Sequence, residues 1–122
     1  MQKVLVVDDS LFQRKSICDT LKEAGFLTIE AGDGREGLET ARTGSPDYIL
    51  TDLLMPVMDG IQFLTELKEQ GFTCPMFVLS ADIQETKRKQ CLDLGVAGFL
   101  SKPFKKHELI EAFSRCTSGK DV

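Results

Sequence analysis

Five polar residues of this 122-residue chain stand at or just past the ends of short apolar runs. Asp8 and Asp9 close the run that begins at Lys3. Asp52 follows Asp47–Thr51, Ser80 follows Pro75–Leu79, and Lys102 comes after Val96–Leu100. A fifth run, Leu27–Ala31, ends blandly in Glu30-Ala31-Gly32. Two like charges about 4 Å apart repel by roughly 4 kcal/mol at an effective dielectric of about 20. Were Asp8, Asp9 and Asp52 to converge, they would have to take up protons or bind a cation. Carboxylates, a carbonyl and water are the ligand set of Mg²⁺. Taken singly, each acid reads as readily as a solvated strand end that caps the next helix.

The elements that must position these groups follow from the apolar spacing. Lys3–Asp8 reads as a buried strand, and Leu27–Ala31, Asp47–Thr51, Pro75–Leu79 and Val96–Leu100 read as four further strands. Helical patterns separate them. Ser10 caps a helix whose face is Leu11, Cys18, Leu21 and Ala24, and Gly25 ends it. Asp33-Gly34 opens a turn into Arg35–Arg42, closed by Gly44-Ser45-Pro46. Pro56 lies in the loop after the third strand. Asp59 caps a helix with Ile61, Leu64 and Leu67, ended by Gly71. Asp82 to Glu85 resembles a capping box for a helix reaching Leu94, and the last helix uses Leu109, Ile110, Phe113 and Cys116. Strands alternating with helices predict an α/β fold with a parallel sheet, helices on both faces and right-handed crossovers. In such sheets ligands bind at the carboxyl ends of the strands, where the five polar residues fall.

Composition narrows the function. Fifteen basic and nineteen acidic residues give a net charge of −4, which argues against direct nucleic-acid binding. No apolar run approaches the roughly 20 residues of a membrane span, and no secretory signal opens the chain. Cys18, Cys74, Cys91 and Cys116 stand singly and form no zinc set with His107, so they read as reduced thiols of a cytoplasmic protein. His107 reads as a surface residue. Residues 1–122 read as one domain, with Ser118–Val122 a flexible tail.

The motifs V-L-V-V-D-D-S at 4–10, D-L-L-M-P-V-M-D-G at 52–60, V-L-S-A at 78–81 and G-F-L-S-K-P-F at 98–104 resemble, in order and at the right strand ends, the receiver domain of two-component response regulators, stand-alone and chemotaxis-regulator-like. The resemblance implies a flavodoxin-like doubly wound sheet of order 2-1-3-4-5 with five helices, and a receiver with no output domain. It implies that Asp52 is the phosphoacceptor. Asp9 and Asp52 would bind Mg²⁺ directly with the backbone carbonyl of Leu54, and Asp8 would act mainly through water. Lys102 would hold a phosphoryl oxygen, its direction constrained by Pro103 through a cis peptide. Ser80 would donate to the phosphoryl group and Phe99 would move with it, where many family members carry Tyr.

Other positions keep two readings at this stage. Apolar Leu54 could shield an acyl phosphate from water. Asp82 could hold a water near the phosphate or simply cap its helix. Lys87-Arg88-Lys89 is either a solvated helix face or part of a partner surface built from helix 4, strand 5 and helix 5. The implied partners are a sensor histidine kinase or phosphotransfer protein and a downstream effector protein, with the chain a monomer. Such a chain catalyses only its own phosphorylation and dephosphorylation and is not otherwise an enzyme. The competing reading is an Mg²⁺-dependent phosphohydrolase with an aspartyl nucleophile. It fits less well, because Ser10 stands where that class has a second acid and no cap domain encloses a substrate.

Overall fold

The computed structural model describes residues 2–55, 57–81 and 84–120, the last five by backbone only. Pro56 and Asp82 therefore lie outside the described residues, as do the side chain of Cys116 and part of the expected tail. Five strands, β1 (Lys3–Val7), β2 (Leu27–Ala31), β3 (Tyr48–Asp52), β4 (Met76–Ser80) and β5 (Gly98–Ser101), alternate with α1 (Leu11–Glu23), α2 (Gly34–Gly44), α3 (Gly60–Glu69), α4 (Glu85–Asp93) and α5 (Lys106–Lys120). The strands form one parallel sheet in the order β2-β1-β3-β4-β5.

Successive strand residues point to opposite faces, so a continuous apolar run serves two cores at once. Leu5, Val7, Ile49 and Val78 face one way and pack with Leu38 and Ala41 of α2, Phe63, Leu64 and Leu67 of α3, and Cys91 of α4. Val4, Val6, Tyr48, Leu50, Phe77 and Leu79 face the other way, against Ile17, Cys18 and Leu21 of α1 and Leu109 and Phe113 of α5. The second core is aromatic. The Phe113 ring lies 4.7 Å from Phe77 and 5.0 Å from Tyr48, centroid to centroid. Truncating Phe113 to Ala is worth about 3–5 kcal/mol on the usual scale for buried aromatics.

Local signals place most helix ends. The Ser10 hydroxyl accepts from Gln13 N, and the Asp33 carboxylate accepts from Glu36 N. Asp59 makes a full capping box with Gln62. Gly25, Gly71 and Gly95 take positive φ after their helices.

Four expectations change. The buried face of α1 is Ile17, Cys18 and Leu21, whereas Leu11 and Ala24 are exposed. Leu11 opens α1 and Ala24 caps its far end, so both lie outside the Ile17–Leu21 stretch that packs into the core. In α3, Phe63 joins Leu64 and Leu67 inside, and Ile61 is only partly buried. The N-cap of α4 is Gln84, with no side-chain cap bond, in place of Asp82. Strand β5 starts at Gly98, because Val96 N is used to close α4 on the Cys91 carbonyl. Cys18 and Cys91 are buried free thiols and Cys74 is half-buried, matching their reading as small core hydrophobes.

Candidate functional site

Strand register assembles the site. Val7 pairs with Thr51 across β1 and β3, so Asp8 and Asp52 come opposite each other one step later. Asp52 pairs with Leu79 across β3 and β4, and Ser80 pairs with Ser101 across β4 and β5. Each polar residue thus emerges at the same edge of the sheet.

Asp8, Asp9 and Asp52 each offer a carboxylate oxygen within 4.8 Å of the others. Asp8 and Asp52 are buried, whereas Asp9 is exposed. Asp8 Oδ1 accepts from Ser10 N at 3.0 Å. Asp8 Oδ2 is buried with no hydrogen-bond partner. Burial pushes the Asp8 carboxyl above the ordinary aspartate range and outweighs the Ser10 amide and Lys102, with Asp52 and Asp9 adding to the rise. A buried carboxylate oxygen left over in a cluster of acids is the donor set a hard divalent cation takes.

Lys102 reaches in from the loop after β5. Its Nζ lies 2.7 Å from Asp52 Oδ2 and 3.6 Å from Asp8 Oδ2. The Lys102–Pro103 peptide is cis, and Lys102 N donates to the Ser80 carbonyl at 3.1 Å. Leu54 N donates to Asp52 Oδ1 at 3.2 Å, while the Leu54 side chain is 67% exposed. Ser80 is buried and shares with Ala81, Arg88 and Phe99 a cavity of about 320 Å³. His107 is exposed.

Two contacts escaped sequence reasoning. The Arg88 guanidinium lies over the Phe99 ring, 4.7 Å from its centroid, so one member of the basic run packs against β5. Gly60 opens α3 where a Cβ would come 2.4 Å from the Asp52 carbonyl and 2.7 Å from Leu53 Cα. The Asp-Gly pair at 59–60 signalled a helix start, but nothing local signalled that the helix abuts β3 there.

An open parallel α/β sheet with an acid cluster, a hydroxyl and a lysine at its carboxyl edge defines a response regulator receiver. The family model of the response regulator receiver domain matches residues 4–114, and the chain belongs to that family. Receiver domains are phosphoacceptor switches of two-component systems that interact with histidine kinases and effectors. This membership selects the switch over the phosphohydrolase.

The chain is 34% identical over 113 residues to the chemotaxis protein CheY of Halobacterium salinarum, covering 93% of this chain and 94% of that protein. It is 35% identical to the alkaline phosphatase synthesis transcriptional regulatory protein SphR of Synechococcus elongatus, of which it spans 47%. Among solved structures, the chemotaxis protein CheY4 of Vibrio cholerae superposes with a TM-score of 0.88 at 36% identity, over 94% of this chain and 98% of that one. No helix among the described residues is long and apolar enough to cross a membrane.

Proposed function

We propose that Asp52 accepts a phosphoryl group from a histidine kinase or phosphotransfer protein in the cytoplasm. The observation that carries this reading is the Lys102–Asp52 contact at 2.7 Å inside a cluster of three carboxylates, one oxygen of which is buried and accepts no hydrogen bond.

An Asp52 oxygen attacks phosphorus in line. The bond from phosphorus to the donor nitrogen breaks, its electron pair returns to that nitrogen, and an acyl phosphate forms. Lys102 exchanges its bond to Asp52 Oδ2 for one to a phosphoryl oxygen, where its charge opposes the charge that develops in transfer. Asp9, Asp52 and the Leu54 carbonyl would hold Mg²⁺, with Asp8 acting through water. When bound, the ion neutralises phosphoryl charge. Ser80 donates its hydroxyl to a phosphoryl oxygen. Phe99 lines the same cavity as Ser80, so a shift of the hydroxyl alters the space available to the ring. The α4–β5–α5 face then presents a changed surface to an effector protein, as a shift between pre-existing states. The protein acts as a monomer and catalyses only its own phosphorylation and dephosphorylation.

Incubation with acetyl phosphate and Mg²⁺, followed by intact mass, tests the chemistry. One added phosphoryl group that is lost in Asp52→Ala is expected. No gain in the native chain, or an equal gain in Asp52→Ala, overturns the assignment.

A further inference from the structure

Arg14 is a residue of α1 whose side chain is only 15% exposed, although neither core contains it. Its Nη1 donates to the Asp8 carbonyl oxygen at 2.6 Å, and its Nε donates to Glu30 Oε1 at 3.0 Å. Lys15 Nζ holds the other Glu30 oxygen at 2.9 Å. On its other side, Asp8 N donates to the Ala31 carbonyl at 3.2 Å. With Oδ1 already on Ser10 N, every polar atom of Asp8 except Oδ2 is held in place.

We propose that Arg14 is a positioning residue for the cation site: anchored on Glu30, its guanidinium holds the peptide group between Asp8 and Asp9 and so directs both carboxylates toward Asp52. The inference rests on the Mg²⁺-dependent phosphoacceptor reading. Two details support it. The guanidinium touches a carbonyl and leaves the carboxylates uncovered, so it orients the acids without occupying an oxygen a cation needs. The contact also uses two separate nitrogens, Nε on Glu30 and Nη1 on the Asp8 carbonyl, a fixed fork geometry that the compact ammonium of lysine does not reproduce.

The sign of one measurement separates positioning from simple electrostatics. Removing a positive charge beside three acids should tighten Mg²⁺ binding if charge alone matters. Loss of orientation should weaken it, by about 10–100-fold for partners that orient metal ligands. Mg²⁺ is titrated calorimetrically into the native protein, Arg14→Gln, and the distant control Arg42→Gln. Weakening of roughly tenfold in Arg14→Gln, with the control unchanged, is expected. Equal or tighter binding in Arg14→Gln overturns the proposal while leaving the phosphoacceptor reading intact. No Mg²⁺ binding by the native protein instead overturns the parent reading. Should Arg14→Gln lack the native circular dichroism, Arg14→Lys, which keeps the charge and loses the fork, reads the same quantity. It is expected to weaken binding by at least about threefold, and unchanged affinity overturns the proposal.

Discussion

Lys102 Nζ stands 2.7 Å from Asp52 Oδ2, although the two residues are 50 positions apart in the chain. The same ammonium is 3.6 Å from Asp8 Oδ2, so one cation bridges two carboxylates that would otherwise repel. On the proposed phosphoacceptor reading, Lys102 in this arrangement opposes cation binding and favours phosphoryl transfer. Lys102→Met should therefore tighten Mg²⁺ binding several-fold by calorimetry. It should also slow phosphorylation by acetyl phosphate by about 10²–10³, the usual loss for a removed transition-state donor. Slower phosphorylation with weaker Mg²⁺ binding would contradict the bridging role.

Asp8 is buried at a cost to stability. Its Oδ2 accepts no hydrogen bond and meets only the Lys102 ammonium at 3.6 Å, and burial raises its pKa. Asp8→Asn retains an acceptor for Ser10 N and removes the charge. It should stabilise the metal-free protein by about 1 kcal/mol in urea unfolding at neutral pH, within the range usual for relieving a strained functional site. Saturating Mg²⁺ should reverse the order, because a ligand at about 100 times its Kd adds about 2.7 kcal/mol to the protein that binds it.

Gly60 is demanded by contact, since its φ is ordinary. An added Cβ meets the Asp52 carbonyl at 2.4 Å and Leu53 Cα at 2.7 Å, both backbone atoms that cannot yield cheaply. Gly60→Ala should lose about 2–3 kcal/mol by urea unfolding and should also impair phosphorylation, because the strain falls on the peptide that carries Asp52. A fully active, fully stable Gly60→Ala would show that α3 can retreat from β3.

The Leu54 side chain is 67% exposed, while its amide holds Asp52 Oδ1. Leu54→Glu keeps that amide but replaces an apolar side chain two residues past Asp52 with a group that can carry water. The acyl phosphate should decay about tenfold faster in a radiolabel chase, below the 10²–10⁴ of a fully positioned general base. Identical decay would remove Leu54 from any shielding role.

Glu30 links acidity to the β1–α1 turn. Burial works to raise its pKa, but the Lys15 and Arg14 hydrogen bonds prevail and leave it lowered from its ordinary 4.5. The ionised form is therefore favoured in the fold. Its contribution is complete above that ordinary value and is lost as pH falls through the lower folded value. Glu30→Gln should cost about 1 kcal/mol at neutral pH, with the difference vanishing in acid. Urea midpoints across that pH range provide the check.

The sequence by itself determined the elements and the polarity of their ends. Apolar runs marked five strands, and Ser10, Asp33 and Asp59 marked helix starts. These signals act between residues a few positions apart, through capping bonds and periodic burial, so they are present in any short window. The reading failed where an element's surroundings decide. Leu11 is apolar yet exposed at the start of α1, outside the Ile17–Leu21 stretch that packs into the core, and Val96 N closes α4 in place of joining β5.

Tertiary structure alone decided what the acids do together. The apolar pattern of β1 and β3 would suit several strand orders, and the order 2-1-3-4-5 was available beforehand only by resemblance. Pairing Val7 with Thr51 brings Asp8 opposite Asp52, where one Asp8 oxygen is buried without a hydrogen bond. Arg14 on the Asp8 carbonyl, Arg88 on Phe99 and Gly60 against β3 likewise join segments distant in the chain. Such contacts depend on hydrogen-bond register across the sheet, and register is a property of paired strands that no single strand carries.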